Sequence, residues 1–146
     1  MVARSVSRAH DSQPAAGYRR AMRFEHVALN IPDTEAAKTW YCEHLGMKVV
    51  GTTGSAYFMG DETGRPVFEF YTQTDPAPPA YREMSKLTLH LAFVSDDLEA
   101  ERSRLEAAGA TRDGEISGPA DGDQLLFMRD PWGVSIQFVM RQRALE

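Results

Sequence analysis

Two histidines, one carboxylate and one amide carry most of the chemistry legible in the 146-residue chain: His26, Glu69, His90 and Gln137. Imidazole nitrogen with carboxylate or amide oxygen suits a divalent ion such as zinc, nickel, iron, cobalt or manganese. His26, Glu69 and His90 would suffice for a two-histidine, one-carboxylate triad. An ion held this way acts as a Lewis acid toward oxygen-bearing organic molecules. The same residues also fit a plainer role, as hydrogen-bonded strand histidines and an outward-facing glutamate. Tyr57, Tyr71 and Trp132 are candidate aromatic walls of a small-molecule site, or fillers of a partly open sheet. Cys42, the only cysteine, reads as a packing thiol. His44 falls at a predicted helix end, where the dipole favours a cation.

Periodicity predicts the elements that must position these groups. Phe24–Ile31 alternates as a strand does and puts His26 on the polar side. Asp33 is a candidate N-cap for a helix in which Ala36, Ala37, Trp40, Tyr41 and Leu45 recur at helical spacing, stopped by Gly46. Extended segments are predicted at Met47–Thr52, Ser55–Met59 and Pro66–Thr72; Phe68 and Phe70 share the apolar face of the last and leave Glu69 opposite. Gln73–Lys86, with three prolines in TDPAPPAY, predicts an irregular linker. The grammar then repeats: a strand over Leu87–Val94, a helix over Asp97–Ala108 ending at Gly109, and extended segments at Thr111–Ile116, Gln124–Arg129 and Val134–Arg141. Ile136 and Phe138 leave Gln137 opposite, as their counterparts leave Glu69.

The letters repeat as well as the pattern. His26-Val-Ala-Leu aligns with His90-Leu-Ala-Phe, and the same offset of 64 carries Asp33 to Asp97 and Glu35 to Glu99. Phe58-Met-Gly-Asp matches Phe127-Met-Arg-Asp at an offset of 69. Ordered similarity across both halves indicates duplication. The expectation is an α+β fold of two tandem βαβββ modules, at about 22–72 and 87–141, forming a cupped, mostly antiparallel eight-stranded sheet with helices on the convex face. Residues 1–21, which include His10, read as a polar tail, and 22–146 as one domain.

Composition narrows the partners. A formal charge of −5 and a pI near 5.4 argue against a nucleic-acid binder. No run approaches the ~18 apolar residues of a membrane helix, and the first residues lack an apolar signal core. One cysteine excludes an intramolecular disulfide and fits a reducing cytoplasm.

The segments HVALNIPDTEAAKTWYCEHLGMKVV, VFEFY, LHLAFVSDDLEAERSRLEAAGA and FMRDPWGVSIQF together resemble the vicinal oxygen chelate superfamily of glyoxalase I, extradiol dioxygenases, and fosfomycin and bleomycin resistance proteins. The resemblance covers residues 22–141. It implies a cup holding a divalent metal that substrate oxygens chelate, with lyase, isomerase or dioxygenase chemistry. By position His26, Glu69, His90 and Gln137 match the four ligands. Gln137 stands where most enzymatic members carry glutamate, and because an amide cannot abstract a proton, Glu69 would be the catalytic base. The resemblance further implies a homodimer in which His26 and Glu69 meet His90 and Gln137 of the partner subunit. It equally includes metal-free proteins that sequester a small molecule or antibiotic, for which Tyr57 and Tyr71 would be the walls.

Overall fold

The computed structural model describes residues 22–145, so the tail and His10 lie outside the described residues. The first module contains β1 (Val27–Asn30), α1 (Thr34–Leu45), β2 (Lys48–Thr53), β3 (Ala56–Gly60) and β4 (Pro66–Tyr71). The second contains β5 (Leu91–Val94), α2 (Leu98–Ala107), β6 (Thr111–Arg112), β7 (Gln124–Arg129) and β8 (Ser135–Met140). Between them the proline-rich linker makes one short 3-10 turn, Tyr81–Glu83.

The architecture is α+β, two tandem βαβββ modules forming a cupped sheet. Its strands are hydrogen-bonded as two four-stranded sheets, in the orders β1-β4-β3-β2 and β5-β8-β7-β6. In each sheet the first strand runs parallel to the last and the other two pairings are antiparallel. A parallel pair needs a long crossover, which α1 and α2 supply. None of the helices among the described residues is long and apolar enough to cross a membrane.

Local chemistry sets the helix ends. The Asp33 and Asp97 carboxylates accept from the backbone N–H groups of Ala36 and Ala100, 3.0 and 2.9 Å away, satisfying one orphan donor in each first turn. Gly46 closes α1 at φ 65°, a left-handed conformation that only glycine adopts without strain.

The opening strands are shorter than their alternation predicts, because pairing with the closing strands spans only Val27–Asn30 and Leu91–Val94. His26 and His90 therefore immediately precede strands instead of lying inside them. Leu87–His90 is not a strand: the segment turns, with Thr88 N donating to Ser85 O at 2.9 Å. The segment predicted over Thr111–Ile116 pairs at only two residues.

The apolar face of each sheet meets its helix, and the two modules share a continuous core that includes Tyr41, Phe68, Phe70, Leu105, Leu126, Met128 and Ile136. Tyr41 lies edge-on to Phe68 and Phe70, with ring centroids 5.7 and 4.8 Å away. Burial of each such aromatic stabilises the fold by about 1.5–3 kcal/mol. Polar contacts also cross between modules. The Trp40 indole N–H donates to Ala108 O at 2.8 Å, and the Tyr41 hydroxyl donates to the Asp130 carboxylate at 2.9 Å.

Candidate functional site

With the apolar faces committed to the helices, strand alternation sends Glu69 and Gln137 to the other side of their sheets. Glu69 is the register partner of Ala28 on β1 and Phe58 on β3, while Gln137 has the equivalent partners Ala92 on β5 and Phe127 on β7. The repeat extends to side-chain contacts. His26 stands edge-on to Phe58 with ring centroids 5.1 Å apart, and His90 edge-on to Phe127 at 5.4 Å. Each module thus presents one histidine, one phenylalanine ring and one oxygen-bearing side chain on a common face.

Both imidazoles are oriented through Nδ1. In module one, His26 Nδ1 lies 3.0 Å from the Glu25 carboxylate. In module two, His90 Nδ1 lies 2.9 Å from the Lys86 carbonyl. Carbonyl and carboxylate oxygens only accept, so Nδ1 is the donor in both contacts, and in the neutral tautomer with the proton on Nδ1 the ligating lone pair is on Nε2. This is the arrangement that prepares a histidine to bind a metal through Nε2. The Nε2 of His26 faces Glu69 Oε2 at 3.4 Å, which puts an imidazole nitrogen and a carboxylate oxygen side by side. Both side chains are about one-fifth exposed, so the pair is reachable from solvent.

Within one chain the two pairs remain apart. Among the described residues no three His, Cys, Asp or Glu side chains gather closely enough to hold a metal ion, so His90 does not join His26 and Glu69. Each sheet contributes half of the predicted ligand set.

The three aromatic candidates are placed differently. Tyr71 follows Glu69 by two residues on β4 and shares its side of the sheet. Tyr57 does not: it pairs with Phe70 and hydrogen-bonds to Glu35 of α1, which puts it on the helix side. The ring beside Glu69 is Phe58, one residue on, because β3 carries that residue in register with Glu69. Trp132 packs edge-on against Trp40, centroids 6.5 Å apart, and lines an open groove of about 620 Å³ along α1. It too lies away from the Glu69 pair.

Several residues whose sequence signal pointed elsewhere shape the site. In Arg129-Asp-Pro-Trp-Gly, where Pro131 and Gly133 favour a turn, Asp130 is almost fully buried. Its Oδ1 accepts from Trp132 N and Val134 N at 3.0 and 2.8 Å, which fixes the turn leading into the Gln137 strand. Burial raises its carboxyl to about 6, against the opposing effect of these bonds and of the Tyr41 hydroxyl. The buried Tyr41 hydroxyl is in turn pushed up, by desolvation first and then by the Asp130 charge. Arg129 donates to Tyr81 O and Met84 O at 2.9 and 2.8 Å and to Asp113 Oδ2 at 2.6 Å, anchoring the linker to sheet two.

Paired βαβββ modules with a histidine and an oxygen donor on each open face define the glyoxalase-like class of fold. The family model of the Glyoxalase/Bleomycin resistance protein/Dioxygenase superfamily matches residues 23–138, and the chain belongs to that superfamily. The uncharacterized protein YwbC of Bacillus subtilis (strain 168) is 29% identical over 132 residues, covering 83% of this chain and 99% of that protein. A glyoxalase family protein from Bacillus cereus superposes with a TM-score of 0.71 at 19% identity, over 87% of this chain and 99% of that one. TnmS3, an antibiotic binding protein from Streptomyces sp. CB03234, gives 0.62 at 19% identity, over 86% and 100%. At these identities the two structures attest the fold.

Proposed function

We propose that the chain is a divalent-metal-dependent enzyme acting on a small oxygenated organic substrate, with each site assembled from the first module of one copy and the second module of another. The observation that carries this reading is the His26–Glu69 pair, an imidazole Nε2 and a carboxylate oxygen 3.4 Å apart, mirrored by His90 and Gln137 on the other sheet. The donor set fits the ion: two imidazole nitrogens and two oxygens, each histidine oriented through its second nitrogen. When bound, the ion would polarise substrate oxygens and stabilise an enolate or a chelated diol. Glu69, the one carboxylate of the four, then has the role of taking or returning a substrate proton, which the Gln137 amide cannot do. Phe58 and Phe127 would keep water from the reacting atoms, and Tyr71 would border the substrate.

Assembly across two copies is supported by the sheet edges. The strands β1 and β5 are each the outermost of their sheet, next to the closing strand that carries Glu69 or Gln137. Beside them Phe24, Leu87 and Val94 are 65%, 77% and 74% exposed. Edge strands flanked by exposed apolar side chains invite a partner strand. Juxtaposing β1 of one copy with β5 of another brings the two donor pairs toward one cup.

The test is metal analysis of protein purified without chelator, followed by titration with zinc, nickel, cobalt, manganese and iron(II). One ion per chain, lost in His26→Ala and Glu69→Gln, is the expected result. A folded wild-type protein that takes up none of these ions contradicts the reading. One observation favours a second reading, a metal-free sequestering protein: Gln137 puts an amide where most enzymatic members carry a glutamate. Tight ligand binding unaffected by EDTA, without turnover, would establish it.

A further inference from the structure

The two modules present the same histidine–phenylalanine contact, but their surroundings differ in charge. Around His26 the ionisable contacts are carboxylates, Glu25 at 3.0 Å and Glu69 at 3.4 Å. Around Phe127 the acid is replaced by the amide of Gln137, and the Lys86 ammonium lies over the ring, 4.9 Å from its centroid. By the offsets that relate the modules, Lys86 stands where module one has Met22, and Arg129 where it has Gly60. Relative to module one, this face has Gln137 in place of Glu69 and Leu89 in place of Glu25, and it carries two cations that module one lacks.

The added charge is not fully cancelled. Asp113 is the carboxylate that neighbours both cations, and it is engaged by Arg129 at 2.6 Å, while Lys86 stands 3.7 Å from its other oxygen. Two cations against one carboxylate leave one positive charge. Arg129 is nearly buried and spends its remaining donors on backbone carbonyls. Lys86 is about one-third exposed and spends one of its three donors on Asp113 O, so the surplus charge is accessible at its ammonium.

We infer that Lys86 determines specificity by receiving the carboxylate of an anionic small molecule held in the cup, with Phe127 beneath and Gln137 alongside. A single surplus charge matches a monoanion better than a doubly charged phosphate, and a charge-assisted bond beside an aromatic wall is stronger than one in open water. The amide at Gln137 follows from the same logic, because a second carboxylate there would repel the incoming one. This inference rests on the proposed cup as the ligand site, although the anion preference itself resides in one module.

Calorimetric titration with mandelate and its neutral counterpart mandelamide, on metal-loaded and on EDTA-dialysed protein, tests it. Both probes carry vicinal oxygens and a phenyl ring, and they differ in charge. Wild-type protein should favour mandelate by about tenfold. Lys86→Gln, which can still donate to Asp113 O, should abolish the preference, whereas Lys86→Arg should retain most of it; thermal melts of both variants establish that they are folded. Metal uptake should be unchanged in either variant. Equal binding of the two probes, no saturable binding of mandelate, or a preference that survives in folded Lys86→Gln overturns the inference. Failure of metal uptake with a Lys86-dependent preference intact would overturn the metal-enzyme reading and leave this one standing.

Discussion

Asp130→Asn isolates the one buried carboxyl among the described residues, which ties the modules together. Asp130 is 1% exposed and accepts from Tyr41 of the first module and from two backbone N–H groups of its own turn. Burial raises it from 3.8 to about 6, so in the folded state it keeps a proton that the unfolded chain has already released. Its contribution to stability is therefore fully present below about pH 3.8 and is lost as pH rises through about 6. The rise from 3.8 to about 6 corresponds to roughly 3 kcal/mol. Asparagine has the same shape and two polar atoms but no ionisation in this range. Urea unfolding of wild type and variant at intervals from about pH 4 to 7.5 gives the difference in unfolding free energy, in which most other titrations cancel. That difference should move by roughly 3 kcal/mol in favour of the variant as pH rises, with its midpoint near 5. A difference that stays flat, or moves in the opposite direction, would show that the Tyr41 hydroxyl and the turn amides hold Asp130 ionised, and would refute desolvation as the dominant effect.

Two further substitutions probe the same neighbourhoods. Gly133 has φ +90°, and a Cβ there would meet Arg82 N at 2.7 Å, so Gly133→Ala should cost about 2 kcal/mol or more; an unchanged urea midpoint would contradict the close approach of linker and turn. Glu25→Ala removes the group that orients His26 through Nδ1 and should weaken metal binding by about tenfold, the low end for such a partner because Glu25 is three-quarters exposed. Competition with a chromophoric chelator measures it, and unchanged affinity would mean that His26 is oriented by other contacts.

Much of the fold was legible because its signals are local. Asp33 and Gly46 bound α1 as their chemistry requires, and the alternation of Phe68 and Phe70 around Glu69, and of Ile136 and Phe138 around Gln137, survives in β4 and β8. The duplicated letters identified the modules. Alternation says less about where pairing ends, so Phe24 and Leu87 look like strand residues but have no neighbour to bond. Tyr57 was misplaced for a related reason: the face of a strand residue depends on the register of its neighbours, and β3 offers Phe58, not Tyr57, to Glu69. Asp130, Lys86 and Arg129 carry no local signature of the contacts they make. Their roles come from contacts to Tyr41, Phe127 and Tyr81 at distant positions, and only the comparison of equivalent positions in the two modules, Met22 with Lys86 and Gly60 with Arg129, contained a hint of the charge asymmetry.

The central claim is that the His26–Glu69 pair of one copy and the His90–Gln137 pair of another hold a single divalent ion. Co-expression of differently tagged His26→Ala and His90→Ala chains, isolation of the mixed dimer, and metal counting by mass spectrometry test it directly. In a twofold dimer the mixed species has one site with both histidines intact and one with neither. Each variant alone should bind no ion, and the mixed dimer should recover about one ion per two chains. No recovery in a folded mixed dimer, or full occupancy in either variant alone, would contradict a site shared between copies.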